Sequence, residues 1–216
     1  MLSEPKSGYV DSYYSRTLDD LDSPYASLSG DVQTDVCVIG GGLAGINTAF
    51  GLMQRGKSVV LLEGHRIGWG ASSRNGGFVA RGFAADHEEI ARRVGLDHAR
   101  KLVGLTREAR QMIRDRIAEF SIDCGPLTPG VLTVSWKDQA QAMQDYVAAA
   151  NRDFDAGLEY WPTEKVRECC KTDKYFQGFY SPDDYQFHSL RYLHGLARVM
   201  AGRGVRIHED TMAAKI

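Results

Sequence analysis

The feature that most limits how this chain can fold is a glycine triplet set between an apolar strand and an amphipathic helix. Asp35-Val36-Cys37-Val38-Ile39 is a short, nearly continuous apolar run, the pattern of a strand buried on both faces. Gly40-Gly41-Gly42 ends it, and Leu43, Ile46, Phe50 and Met53 then recur at helical spacing as far as Arg55. Gly56 supplies the stop, and Ser58-Val59-Val60-Leu61-Leu62 is a second buried strand. A strand–helix–strand unit of this length makes two parallel strands with a right-handed crossover. The predicted fold class is therefore α/β, with a Rossmann-like βαβ unit at its start.

Within that unit the spacing is Gly40-x-Gly42-x-x-Gly45. The first glycine permits the tight turn, the second lets backbone approach a pyrophosphate, and the third allows the helix to lie close on the sheet. The start of the helix offers unpaired N–H groups and the positive end of its dipole to phosphate. Among 23 glycines such spacing alone carries little weight. Its place after a strand and before a helix, with Glu63 about 20 residues on, makes it a dinucleotide pattern. Glu63 would accept hydrogen bonds from ribose hydroxyls, and its charge makes a 2′-phosphate, and so NADP, the poorest fit.

Past the second strand, Gly68-Trp69-Gly70-Ala71-Ser72-Ser73-Arg74-Asn75-Gly76-Gly77 gathers small residues and hydroxyls at the sheet edge where ligands bind. Helices are predicted at 86–94, 97–120, 137–156 and 190–201, and further strands at 130–136, 175–181 and 205–208. The Arg and Glu residues of the long helix read as a solvated face, and residues 1–34 as an extended arm. A net charge of -2 excludes a polybasic nucleic-acid binder. The polar, acidic start has no apolar core of a secretory signal. No apolar stretch nears the roughly 20 residues of a membrane span, so the expected location is the cytoplasm. Cys37, Cys124, Cys169 and Cys170 lack CxxC spacing and read as buried or idle thiols. His188, His194 and His208 lack a metal spacing, and no metal is expected. Asp183-Asp184 reads as a solvated turn in preference to an amine site, and Trp69, Trp136 and Trp161 read as packing residues.

VIGGGLAG followed by LLEGHRIGWGASSRNGG resembles the D-amino-acid oxidase-type flavoproteins, which include glycine, sarcosine and amine oxidases. The leader SYYSRTLDDLDSPYASLSGDVQTDVCVIGGG is similar to that of the γ-glutamylputrescine oxidase-like branch, and FHSLRYLHGLARVMAGRGVRIHEDT matches the family's return to its FAD domain. The resemblance implies FAD as cofactor, with pyrophosphate contacts from Gly40, Gly42, Leu43, Ala44 and Gly45 and a ribose contact at Glu63. It sets Ala71, Ser72, Arg74, Asn75, Gly76 and Gly77 along the pyrophosphate–ribityl–flavin path. Ala213 stands where the family often has a Val whose backbone meets adenine. Ser73 replaces a common Gly, Phe78 replaces a polar residue that is commonly Gln, and Ser189 replaces the Pro of a His-Pro pair, leaving His188 as a helix-start residue.

The implied organisation is an arm over 1–34, the first part of the FAD domain over 35–85, a helical and α+β substrate-domain insertion over 86–185, and an incomplete return over 186–216. On this reading the chain is a truncated, N-terminal half, with a homo-oligomer or a complementing C-terminal half as partner. The implied activity is oxidation of the C–N bond of a small amine or amino acid, such as a γ-glutamylated polyamine, to an imine with formation of hydrogen peroxide. The catalytic residues are not identified. Two alternatives stand beside it: a non-catalytic or partner-completed FAD/ADP-binding piece, and an NAD-dependent dehydrogenase, which shares the glycine motif but leaves residues 68–77 unexplained.

Overall fold

The computed structural model describes residues 8–18 and 25–215; the rest of the expected arm, at 1–7 and 19–24, and Ile216 lie outside the described residues. The chain divides into two compact units. The first runs to Gly77 and takes in Arg116–Gly125 and everything from His188. Its sheet is formed by β1 (Val36–Ile39), β2 (Val59–Leu62) and β7 (Arg206–His208) in the order β1-β2-β7. All pairings are parallel, with Val38 opposite Leu61 and Leu61 opposite Ile207. Helix α2 (Leu43–Gln54) is the crossover from β1 to β2, and α7 (Ser189–Gly202) leads into β7. Ile46 and Phe50 of α2, Leu61 of β2, and Leu193, Leu196 and Met200 of α7 are wholly buried and form this unit's core. The α/β class is as predicted.

Some particulars differ from the sequence reading. Strand β1 is covered on one face only: Val38 is buried, while Cys37 and Ile39 are exposed. A continuous apolar run does not distinguish such a strand from one buried twice. The arm is not merely extended, because Tyr13–Arg16 form a short helix, α1, closed by a reciprocal Ser12–Ser15 capping box. Tyr14 and Leu18 are buried against Leu190.

The second unit comprises Phe78–Asp115 and Pro126–Phe187. Its centre is β6 (Gly178–Gln186), paired antiparallel with β4 (Thr128–Val134) and also with the short strands β3 (Phe78–Val79) and β5 (Glu159–Trp161). The unit also holds α3 (His87–Val94), most of α4 (Leu96–Glu119), α5 (Ala140–Phe154) and α6 (Thr163–Cys170). The expected single insertion over 86–185 therefore differs at both ends, and residues 116–125 group with the first unit.

The predicted solvated charges are also partly buried. Arg110 and Asp184 are both buried and form an ion pair of 2.6 Å. The Tyr185 hydroxyl donates to the Arg110 carbonyl at 3.2 Å. Asp184 thus lies within β6 and not in a solvated turn. Arg116, likewise buried, donates to the Asn47 side chain and lies 4.4 Å from the Phe50 ring centroid. Trp136 is 68% exposed and packs only at the surface, its ring edge-on to Tyr175 at 4.8 Å.

Candidate functional site

Ligands of open parallel sheets bind outside the carboxyl ends of the strands, and the glycine turn is built there. Gly40 has φ +101°, which strains any residue with a Cβ. Its N–H donates to the Leu62 carbonyl at 2.7 Å, tying the turn to the end of β2. Gly45 has no room for a side chain, since a Cβ there would lie 1.8 Å from the Gly40 carbonyl oxygen. Gly42 faces Ser72, whose Oγ would be 3.2 Å from a Cβ. Gly41, which the motif leaves unspecified, is as tightly held: a Cβ would come within 2.6 Å of Ile67 Cδ1. The middle glycine of the triplet was the available signal, and the spacing rule ignores it.

Helix α2 begins on Gly42, which offers no side-chain cap. The Leu43 N–H donates to Ser72 Oγ at 3.1 Å. The Ala44 and Gly45 N–H groups find no acceptor among the described residues. First-turn amides of this kind, at the positive end of the helix dipole, are suited to an anion. Glu63 follows β2, and its Oε2 accepts the Gly41 N–H at 2.6 Å while its Oε1 accepts the His65 N–H at 2.9 Å. Each carboxylate oxygen has a second lone pair for another donor. The segment after β7 joins the same place, because the Thr211 N–H donates to the Glu63 carbonyl and the Asp210 N–H to the His65 carbonyl, both at 2.9 Å.

These elements enclose a cleft of about 370 Å³, lined in part by Gly40, Gly42, Glu63, Ala71, Ser72 and Ala213. Leu43, Ala44 and Gly45 form the adjoining first turn of α2. The remaining predicted residues serve differently. Arg74 donates to the carbonyls of Trp69 and Gly70. Asn75 donates to the Ala71 and Ser72 carbonyls and accepts the Gly77 N–H at 2.8 Å. Arg74, Asn75, Gly76 and Gly77 do not line the cleft; the first two shape the loop that does.

Three groups here were not legible as site residues. His65 and Trp69 line the cleft with rings stacked at 4.0 Å, and the Arg74 guanidinium lies 4.8 Å from the Trp69 centroid. Trp69 therefore packs between His65 and Arg74, as expected, and also borders the site. Glu209 is 1% exposed; it accepts the Ile67 N–H at 2.7 Å, and its Oε2 is 3.2 Å from Arg66 Nε. Burial raises the Glu209 carboxyl above the ordinary carboxylate range. Only a fold that returns β7 beside β2 brings Glu209 to this loop. His188 sits at the start of α7 and accepts the Arg191 N–H at 3.1 Å, the role its position implied. Among the described residues no three His, Cys, Asp or Glu side chains are grouped to hold a metal, and no helix is long and apolar enough to cross a membrane.

The chain is 32% identical over 215 residues to the probable oxidoreductase OrdL of Haemophilus influenzae, a match covering 98% of this chain and 49% of that protein. It is 31% identical over 209 residues to the gamma-glutamylputrescine oxidoreductase of Escherichia coli, covering 96% and 49%. The chain thus spans about half the length of the curated relatives it matches. The glycine oxidase structure from Geobacillus kaustophilus superposes with a TM-score of 0.65 at 20% identity, over 82% of this chain and 46% of that one. That likeness bears on the fold alone. Residues 35–216 match the model of a family described as FAD dependent oxidoreductase, DAO. The chain belongs to the DAO family of FAD-dependent oxidoreductases, whose cofactor is FAD.

Proposed function

We propose that the cleft is the adenosine and pyrophosphate end of an FAD site, and that the protein to which this chain belongs oxidises the C–N bond of an amine or amino acid. One observation carries the first part. Unpaired amides, side-chain-free backbone and a carboxylate with spare lone pairs meet at the ends of β1 and β2. Gly40, Gly42 and Gly45 keep the approach clear, and the Ala44 and Gly45 amides donate to phosphate oxygens. Leu43 opens the same turn. Ser72 accepts the Leu43 N–H, so its own hydroxyl hydrogen remains for a phosphate oxygen. Glu63 accepts ribose hydroxyls, and Ala213 borders adenine. Ala71, Arg74, Asn75, Gly76 and Gly77 carry the path toward the ribityl chain and flavin, the middle residues by holding the loop in shape.

When bound, FAD supplies a two-electron acceptor for hydride from the carbon bearing nitrogen, leaving an imine that water hydrolyses, and oxygen takes the electrons and two protons as hydrogen peroxide. The residues of this chain bind and orient. The name of the E. coli relative supports a γ-glutamylated polyamine as substrate, and the cytoplasm is where such a substrate would be met.

The test is anaerobic mixing of the FAD-loaded whole protein that carries this chain with γ-glutamylputrescine, putrescine, glycine and glutamate. The proposal expects bleaching of bound flavin by the γ-glutamylated amine ahead of the others, and peroxide on admitting air. Flavin that binds but is bleached by none of them would leave a cofactor-binding piece and overturn the catalytic reading.

A further inference from the structure

The matched family region begins at residue 35, yet the segment before it reaches the glycine turn through one side chain. The Tyr9 hydroxyl donates to the Ile67 carbonyl at 2.8 Å and lies 2.7 Å from His194 Nε2. A tyrosine has one hydroxyl hydrogen, so with that hydrogen on Ile67 the His194 ring must donate from Nε2. Ile67 is fully buried, and its N–H is held by Glu209. The next residue, Gly68, donates its N–H to the Gly41 carbonyl at 2.9 Å. Gly41 in turn donates to Glu63 and has the Ile67 side chain against its α-carbon. An unbroken line of short contacts thus runs from the arm, through residues 66–68, to the backbone and carboxylate of the cleft. The arm is itself anchored: Tyr14 and Leu18 are buried on Leu190, and the Arg191 guanidinium donates to the Thr17 carbonyl at 2.7 Å.

We propose that Tyr9 is a positioning residue for the dinucleotide site, fixing residues 66–68 and through them Gly41 and Glu63. This rests on the cleft being that site, but its first readout does not. Removing the hydroxyl leaves two buried polar groups, the Ile67 carbonyl and the His194 Nε2–H, without their partner. Tyr9→Phe keeps the ring and deletes only that group. Tyr13→Phe, at an exposed position two residues before Ser15 on the same arm, is the control.

Amide hydrogen exchange of the full 216-residue chain without cofactor is measured first. Tyr9→Phe is expected to speed exchange at Gly41 and Gly68 about ten-fold, with the core amides of Leu196 and Ala197 and the Tyr13→Phe variant unchanged. A merely structural loss would speed all of these together, and either that result or unchanged exchange at Gly41 and Gly68 overturns the proposal. The dissociation constant for ADP is measured second and should rise about ten-fold in Tyr9→Phe alone. Equal ADP affinity in wild type and Tyr9→Phe also overturns it. A wild-type chain that binds neither ADP nor FAD contradicts the cofactor site and removes the positioning role with it, while the exchange comparison still reports whether Tyr9 holds the loop.

Discussion

Two glycines of one helix should respond to the same substitution with opposite signs. In α2, an alanine at position 45 or 51 gains the same intrinsic helix preference over glycine, about 1 kcal/mol. At Gly51 the added Cβ meets only the end of the Arg55 side chain, at 3.2 Å, which can swing aside. At Gly45 it meets backbone, 1.8 Å from the Gly40 carbonyl oxygen, and no rotamer relieves it. The helix and the glycine turn must part by more than an ångström, an overpacking cost of about 3 kcal/mol. The net effects are a gain of about 1 kcal/mol for Gly51→Ala and a loss of about 2 kcal/mol for Gly45→Ala. With a urea slope near 2 kcal/mol/M, the midpoint should rise about 0.5 M in the first and fall about 1 M in the second. Urea unfolding followed by far-UV circular dichroism measures both, and FAD binding should be retained by Gly51→Ala and lost by Gly45→Ala. If Gly45→Ala is as stable as Gly51→Ala, the close approach of helix to turn is not a feature of the folded protein and the reasoning fails.

Further expectations concern groups outside the cleft. Asp184→Ala leaves the buried Arg110 guanidinium with only its longer contact to Asp183, 3.3 Å away, and should cost the second unit about 3 kcal/mol; a loss under about 1 kcal/mol by the same unfolding assay would contradict the buried pair. His194 is pushed down to about 3, chiefly by burial and then by the charges of Arg198, Arg66 and His188. The unfolded chain therefore takes up this proton near pH 6.5 while the folded chain stays neutral to about pH 3, so stability falls as pH drops through that window. At 1.36 kcal/mol per unit, the loss between pH 7 and pH 5 is about 2 kcal/mol. The urea midpoint of wild type should fall over that range more than that of His194→Gln, and parallel slopes would sink the assignment.

The βαβ unit and the glycine turn were legible because both are local: a strand, three glycines and a helix lie within about twenty residues. The position of Glu63 at the edge of the cleft was legible for the same reason, because it falls where the second strand must end. What escaped is what only tertiary return creates. Glu209 reaches the loop at 66–67 because β7 pairs beside β2, and nothing in the periodicity of Val205–His208 announces a buried carboxylate just beyond it. Arg110 and Asp184 carry charge, so pattern alone assigns them to solvent, and their burial follows from being each other's counter-ion. The arm has no repeating apolar period, yet Tyr9, Tyr14 and Leu18 are apolar anchors at irregular spacing, and side chains set so irregularly can be assigned to a surface only once the surface exists. Exposure of Cys37 and Ile39 on β1 was likewise hidden, because an apolar run reads the same whether one face or both are covered.

The cleft at the ends of β1 and β2 is proposed to hold FAD. Its most direct test is to incubate the purified 216-residue chain with FAD, desalt it and record the visible spectrum, with Glu63→Ala treated in parallel. Wild type should retain flavin near one per chain with a shifted, structured band, and Glu63→Ala should retain markedly less. A folded wild-type chain that emerges colourless, or a Glu63→Ala variant that holds flavin as firmly as wild type, would contradict it.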